Sequence, residues 1–376
     1  MRILILGYAE SIYIKNYIEN ILKDSNFDIF ITLSDRNSVH REYYELNNVK
    51  VIHSKYNVPL LSCIPGIKSL INSIITMFML YRKYDIIHVH FMSLTYVYAM
   101  ILLKKNAKVV GTFWGDDIFC ASEKELRLLG NTFKHFDRIT LLTKRMLRRF
   151  HQIYSNTYDD KLAMVKFGVS GFKDISSVLE NEGKAECKNY FNIGKQKTVI
   201  SIGYNAVRTQ QHLEVIKMLS TMPKETWKGV SFVFQMTYGG LLADYIAELE
   251  YILKEMDCKY NIITSFLDDI EIARLRIATD IFIHAQTSDA FSATIQECLY
   301  AGAVVLNPNW IQYDELREIG VDYIEYSNFE ELPGIIRNLL SNPIESCETN
   351  KEKLSGITSW EKTRDDWLDL YKFAES

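Results

Sequence analysis

Residues 282–309 read FIHAQTSDAFSATIQECLYAGAVVLNPN, and the rest of the chain is organised around this stretch. An apolar strand over 280–284 ends in the polar turn Thr287-Ser288-Asp289; a segment of helical period follows over 292–300, then Gly302 and a second apolar strand over 304–306. The unit is strand, loop, helix, strand. Its helix opens on Ser292-Ala293-Thr294, whose backbone N–H groups and hydroxyls suit an anion. Asp289 and Glu297 stand eight positions apart, one in the loop and one just over a turn into the helix, so both can face one ligand. The plainer alternative makes Asp289 a helix cap and Glu297 a surface residue.

With 376 residues the chain exceeds the roughly 250–300 residues that one hydrophobic core usually serves, so two domains are expected. A formal charge of −4 gives no overall attraction to nucleic acid, and any phosphate or membrane contact has to come from a local patch. Cys63, Cys120, Cys187, Cys258, Cys298 and Cys347 lack paired spacing; they read as reduced structural thiols of a cytoplasmic protein, with no metal site. No secretion signal is expected, because the apolar run after Met1-Arg2 stops at Gly7. The apolar region 58–81 is broken by Pro59, Pro65, Lys68, Asn72 and Ser73 and reads as a loop and a buried or interfacial helix rather than a membrane span.

In chain order, a strand over 2–6 leads through the turn 7–11 into a helix, which opens a doubly wound α/β sheet whose ligand loops lie at the carboxyl ends of strands. Further strands are expected at 27–33, 49–53, 85–90, 108–113, 138–142 and 163–166, with an amphipathic segment at 67–82. The fingerprint G-x-G-x-x-G is absent, which argues against an NAD-dependent dehydrogenase. A helix over 143–154 sets Lys144, Arg145, Arg148 and Arg149 among Met146, Leu147, Phe150 and Ile153; this face either meets anionic lipid or is simply solvated. His88 reads equally as a site residue or a buried strand residue, while His90 sits at the strand end, where sites gather. Charged residues over 173–197 suggest the interdomain linker. A second α/β unit starts at 198–203, and on its helix over 268–279 Arg274 and Arg276 read as solvated. Trp360, Trp367, Leu368, Leu370 and Tyr371 give the tail 358–373 helical spacing.

The Asp289-x7-Glu297 run resembles the acid-x7-Glu signature of family 4 glycosyltransferases, with Asp289 where Glu is usual and 301–305 standing for the family's Ala-Gly-x-Pro-Val turn. The segment 84–90 is similar to the family's "yDiiHvH" strand, 110–117 to its "THGxD" turn with Trp114 in the histidine's place, and 167–170 to its "nGvD" segment. In the Gly-rich loop the family's Lys-Gly pair is missing, leaving Arg208. Other segments are similar to TDP-4-acetamido-4,6-dideoxygalactose (Fuc4NAc) transferases: Gly203 to Leu213 with His212 at the matching histidine, Gln235-Met236-Thr237-Tyr238-Gly239, and Val305-Leu306-Asn307 with Trp310.

The resemblance implies an α/β fold of GT-B type, with two Rossmann-like doubly wound domains facing a cleft and the C-terminal helix crossing back to the first. Residues 1–172 with 358–376 would form the acceptor-binding domain and 173–357 the nucleotide-sugar domain. It implies a hexosyltransferase-like enzyme of bacterial surface-polysaccharide biosynthesis that moves a sugar from a nucleotide diphosphate to a glycan or lipid-linked glycan, with retention. An inverting transferase of the Fuc4NAc type and a GT-B nucleotide-sugar epimerase are the alternatives. The expected catalytic residues are Asp289, Asp117 and His90; the donor would be held by Gly203, Arg208, His212, Tyr238, Phe291, Ser292, Ala293, Thr294 and Glu297. Gly7, Glu10 and Trp114 would lie on the acceptor side. No cofactor or metal is expected beyond the nucleotide sugar, with UDP first among the bases and TDP and GDP behind it, and no nucleic-acid partner. The basic helix would place the protein at the inner face of the membrane.

Overall fold

A computed structural model describes residues 1–23, 27–33, 40–53, 74–194, 197–240, 243–342 and 349–372. The chain divides into two compact units, Met1–Gly168 with Trp360–Ser376, and Val169–Ser359.

The first unit is built on a parallel sheet of seven strands: β1 (Arg2–Leu6), β2 (Asp28–Leu33), β3 (Lys50–His53), β4 (Ile86–His90), β5 (Lys108–Thr112), β6 (Arg138–Leu141) and β7 (Leu162–Met164). Their order is β3-β2-β1-β4-β5-β6-β7, with Ile3 opposite both Ile29 and Ile86. Such strands are covered on both faces, which is why β1 and β4 are nearly continuous runs of buried residues rather than alternating ones. The strand order reverses between β1 and β4, so the loops that follow them diverge at their carboxyl ends, where open α/β sheets take their ligands. The basic helix Lys144–Tyr154 forms as its spacing predicts, capped by Thr143 and burying Met146, Phe150 and Tyr154. The C-terminal helix Trp360–Lys372 belongs to this unit: Trp367 is fully buried and donates from Nε1 to the Lys166 carbonyl at 2.8 Å.

The second unit repeats the plan with β8 (Thr198–Ile202), β9 (Val230–Gln235), β10 (Lys259–Ile263), β11 (Ile281–Ile283), β12 (Val304–Pro308) and β13 (Ile324–Tyr326), in the order β10-β9-β8-β11-β12-β13. Here the reversal lies between β8 and β11. The charged stretch read as a linker is instead two helices of this unit, Gly171–Asn181 and Lys184–Tyr190. Phe172, Ile175, Val178 and Cys187 recur on their buried faces, and the charges that masked this pattern lie opposite or pair inward, as Lys188 does with Asp280 at 2.6 Å.

Among the described residues no helix is long and apolar enough to cross a membrane. The apolar region 58–81 and the amphipathic segment 67–82 lie outside the described residues as far as residue 73, as do Cys63 and Cys347.

Candidate active site

The loops leaving β8 and β11, the two strands at the reversal in the second unit, and the helices they lead into carry most of the expected donor residues. Gly203 follows β8 with φ +65, and a Cβ there would lie 2.4 Å from His212 Nε2, so the turn demands glycine. His212 is fully buried, with Nδ1 against the Tyr245 hydroxyl at 3.2 Å, and burial lowers its pKa to about 4, so it is a neutral wedge under the loop. Main-chain bonds lace the neighbouring loops together, from Ala206 N–H to the Tyr238 carbonyl and from Thr287 N–H to the Thr209 carbonyl. Arg208 stands on the rim, half exposed, 3.4 Å from Asp244 and over the Tyr245 ring. Tyr238 is largely exposed, yet desolvation raises its hydroxyl; the charges of Glu297 and Asp289 add to that, while the Asn205 bond and Arg276 oppose it.

After β11 the chain reaches Asp289, then Phe291 packed edge-on against Tyr313, then the helix Ala293–Tyr300. Ser292 caps that helix by accepting from Ile295 N–H, which leaves the first-turn amides of Ala293 and Thr294 with no intrahelical acceptor. Asp289 accepts from the Tyr313 hydroxyl at 3.0 Å, and its Oδ2 lies 3.8 Å from His284 Nε2. The side-chain amide of Asn307 donates to the Pro308 and Ile311 carbonyls, so its oxygen faces His284 Nδ1 at 2.9 Å. That fixes the neutral ring with its proton on Nδ1 and turns the bare Nε2 toward Asp289. Burial holds His284 below its usual pKa, against the pull of Asp289.

Glu297 is neither a surface residue nor free of partners. Its Oε2 receives Arg276 Nε at 3.1 Å, and the Arg276 guanidinium also donates to Gln235 Oε1 at 2.9 Å and reaches Thr294 Oγ1 at 3.4 Å. Arg276, expected in solvent, is 4 % exposed. The sign of its burial was present in the sequence, since it interrupts the run Ala273, Leu275, Ile277, Ala278 that enters β11. By contrast Arg274 is held in a two-pronged bond to Glu182.

In the first unit Gly7 follows β1 and packs against the last residue of β4, His90. Glu10 lies in the turn before the helix Ile12–Tyr17, and its charge helps raise the Tyr44 and Tyr96 hydroxyls after burial has done so. His90 is fully buried, its ring 4.6 Å from Tyr17 and 6.0 Å from Trp114, and neither nitrogen has a hydrogen-bond partner among the described residues. Burial lowers its pKa to about 3. His88 is a core residue satisfied by side chains: Tyr371 on Nδ1 and Thr112 on Nε2, each at 2.6 Å. Asp117 spends both oxygens on the main chain, Oδ1 accepting from Trp114 and Gly115 N–H and Oδ2 from Met92 N–H. Burial nonetheless raises its pKa to about 6.

In both units the strand order of a parallel sheet reverses beside the first strand, and candidate residues gather on the loops there. Residues 2–157 match the family model described as Glycosyl transferase 4-like. No curated protein matches the chain. Among solved structures, the Anabaena HepE protein in complex with UDP and glucose is 16 % identical with a TM-score of 0.71, covering 99 % of this chain and 100 % of its own. Sucrose-phosphate synthase from Thermosynechococcus elongatus is 12 % identical with a TM-score of 0.77, over 100 % of both chains. A glycosyltransferase from Rickettsia africae is 17 % identical with a TM-score of 0.73, over 100 % of this chain and 98 % of that one. At such identities the likeness establishes the fold, and the fold is GT-B.

Proposed function

We propose that the protein is a glycosyltransferase that takes a sugar from a nucleoside diphosphate, UDP by preference, and passes it to a glycan or lipid-linked glycan of bacterial surface polysaccharide. The observation that carries this reading is the joint placement of Asp289, the Ala293–Thr294 amides and Glu297 around one helix start beside the Gly203 turn. Glu297 takes the ribose hydroxyls, the first-turn amides and Arg208 take the diphosphate, and Asp289 takes the donor sugar, with Phe291, Ser292 and Tyr238 lining the approach. Negative charge grows on the departing diphosphate, and fixed N–H dipoles and a guanidinium stabilise it where it grows. UDP is preferred because the similar HepE structure holds UDP and glucose.

The acceptor belongs to the first unit, beside Gly7, Glu10 and Trp114. Asp117 has both oxygens engaged and His90 is sealed among aromatic rings, so neither is poised to take a proton, and this supports retention over inversion. The helix Lys144–Tyr154 turns Lys144 and Arg148 outward, which supports contact with anionic lipid at the inner membrane face.

Thermal unfolding across UDP-, GDP-, TDP- and CMP-linked sugars tests the donor site. One nucleotide class should raise the melting temperature by a few degrees, since ligand at about 100 Kd adds about 2.7 kcal/mol, and Glu297→Ala should abolish the shift. A panel with no shift refutes the reading.

A further inference from the structure

Arg276 lies in none of the motifs that led to the donor site, yet it is the charged group most tightly built into it. Its side chain is 5 % exposed and that of Glu297 13 %, so the pair is nearly buried. Oε2 of Glu297 takes Arg276 Nε at 3.1 Å. On the other side, a Cβ built on Gly171 would lie 2.5 Å from Glu297 Oε1, so that oxygen packs against a bare Cα at the start of the helix Gly171–Asn181. A helix start favours negative charge, and the guanidinium faces the opposite oxygen. The carboxylate is thereby held from both sides, which lowers the side-chain entropy it would lose when a ligand arrives. Gln235 and Thr294 fix the guanidinium in turn. Stability alone does not call for this arrangement, because a buried ion pair is often replaceable by apolar side chains at no cost.

We propose that Arg276 is a positioning residue of the donor site, holding the Glu297 carboxylate turned toward the ribose hydroxyls of the nucleotide. The assignment rests on the donor reading given above. Arg276 touches neither the sugar nor the diphosphate in this role and acts through Glu297.

Calorimetric titration with UDP and with its 2′,3′-dideoxy analogue, and with GDP and TDP as alternative bases, tests it on the full chain. The proteins are the wild type, R276K, R276Q, E297Q and R276Q/E297Q, with circular dichroism to confirm folding. R276Q should weaken UDP at least 10-fold while leaving the dideoxy analogue unchanged, and R276K should recover part of the loss. A merely structural role would weaken both nucleotides alike. The double variant, which leaves no orphaned buried charge if R276Q alone fails to fold, should bind UDP no more weakly than E297Q. UDP affinity in R276Q equal to wild type, equal losses for both nucleotides, or losses that multiply in the double variant would each overturn the proposal. A wild type that binds none of UDP, GDP and TDP overturns the donor reading itself, a result distinct from tight UDP binding that R276Q leaves untouched.

Discussion

Asp117 shows how the surroundings of a residue of plausible chemistry occupy both of its oxygens. Its oxygens tie the turn after β5 to the loop after β4, Oδ1 accepting from Trp114 and Gly115 N–H and Oδ2 from Met92 N–H, and burial raises its pKa from 3.8 to about 6. A raised folded pKa means the folded protein binds the proton more tightly than the unfolded chain. The stabilisation is complete below the unfolded value and is lost as pH rises through about 6. Unfolding free energies of wild type and Asp117→Asn should therefore diverge with pH, the wild type losing up to about 3 kcal/mol relative to the variant between pH 4 and 7. A difference that stays flat across that range would show that Asp117 titrates normally. At this scale the sequence was half legible. Asp289 and Glu297 announce themselves by spacing, because both belong to one loop and helix. Arg276, His284 and Tyr313 do not, because what buries and pairs them is distant along the chain: Gln235 is 41 residues from Arg276, and Asp289 is 24 from Tyr313.

Elements were easiest to read where one periodicity ran uninterrupted. The basic helix Lys144–Tyr154 and the strands around the two reversals needed only their own residues to be recognised. The helices Gly171–Asn181 and Lys184–Tyr190 were hidden because lysines and glutamates crowd a short apolar face, and a composition reading averages over that face. The C-terminal helix Trp360–Lys372 does more than cover the first sheet. Tyr371 joins it to a buried chain of hydroxyl and imidazole groups, from Tyr17 through His88 and Thr112 to Thr140. Tyr371→Phe keeps the ring but leaves His88 Nδ1 buried and unpaired, and should cost about 1–3 kcal/mol in denaturant unfolding. A loss below about 0.5 kcal/mol would mean that the ring's packing alone fastens the helix.

For the whole molecule, the architecture was carried by repetition: twice the chain alternates apolar strands with helical segments, and twice the sheet reverses beside its first strand. Function follows less directly, since the same fold serves many reactions and only the placed side chains distinguish them. The most direct test is release of nucleoside diphosphate from UDP-glucose and its TDP- and GDP-linked counterparts, without acceptor, with the freed sugar followed by proton NMR in the first minutes. Slow release from one donor is expected, with the sugar appearing first as the anomer it had in the donor and with release at least 10-fold slower in Glu297→Gln. Donors that stay intact, or one that is isomerised with no diphosphate released, would contradict it.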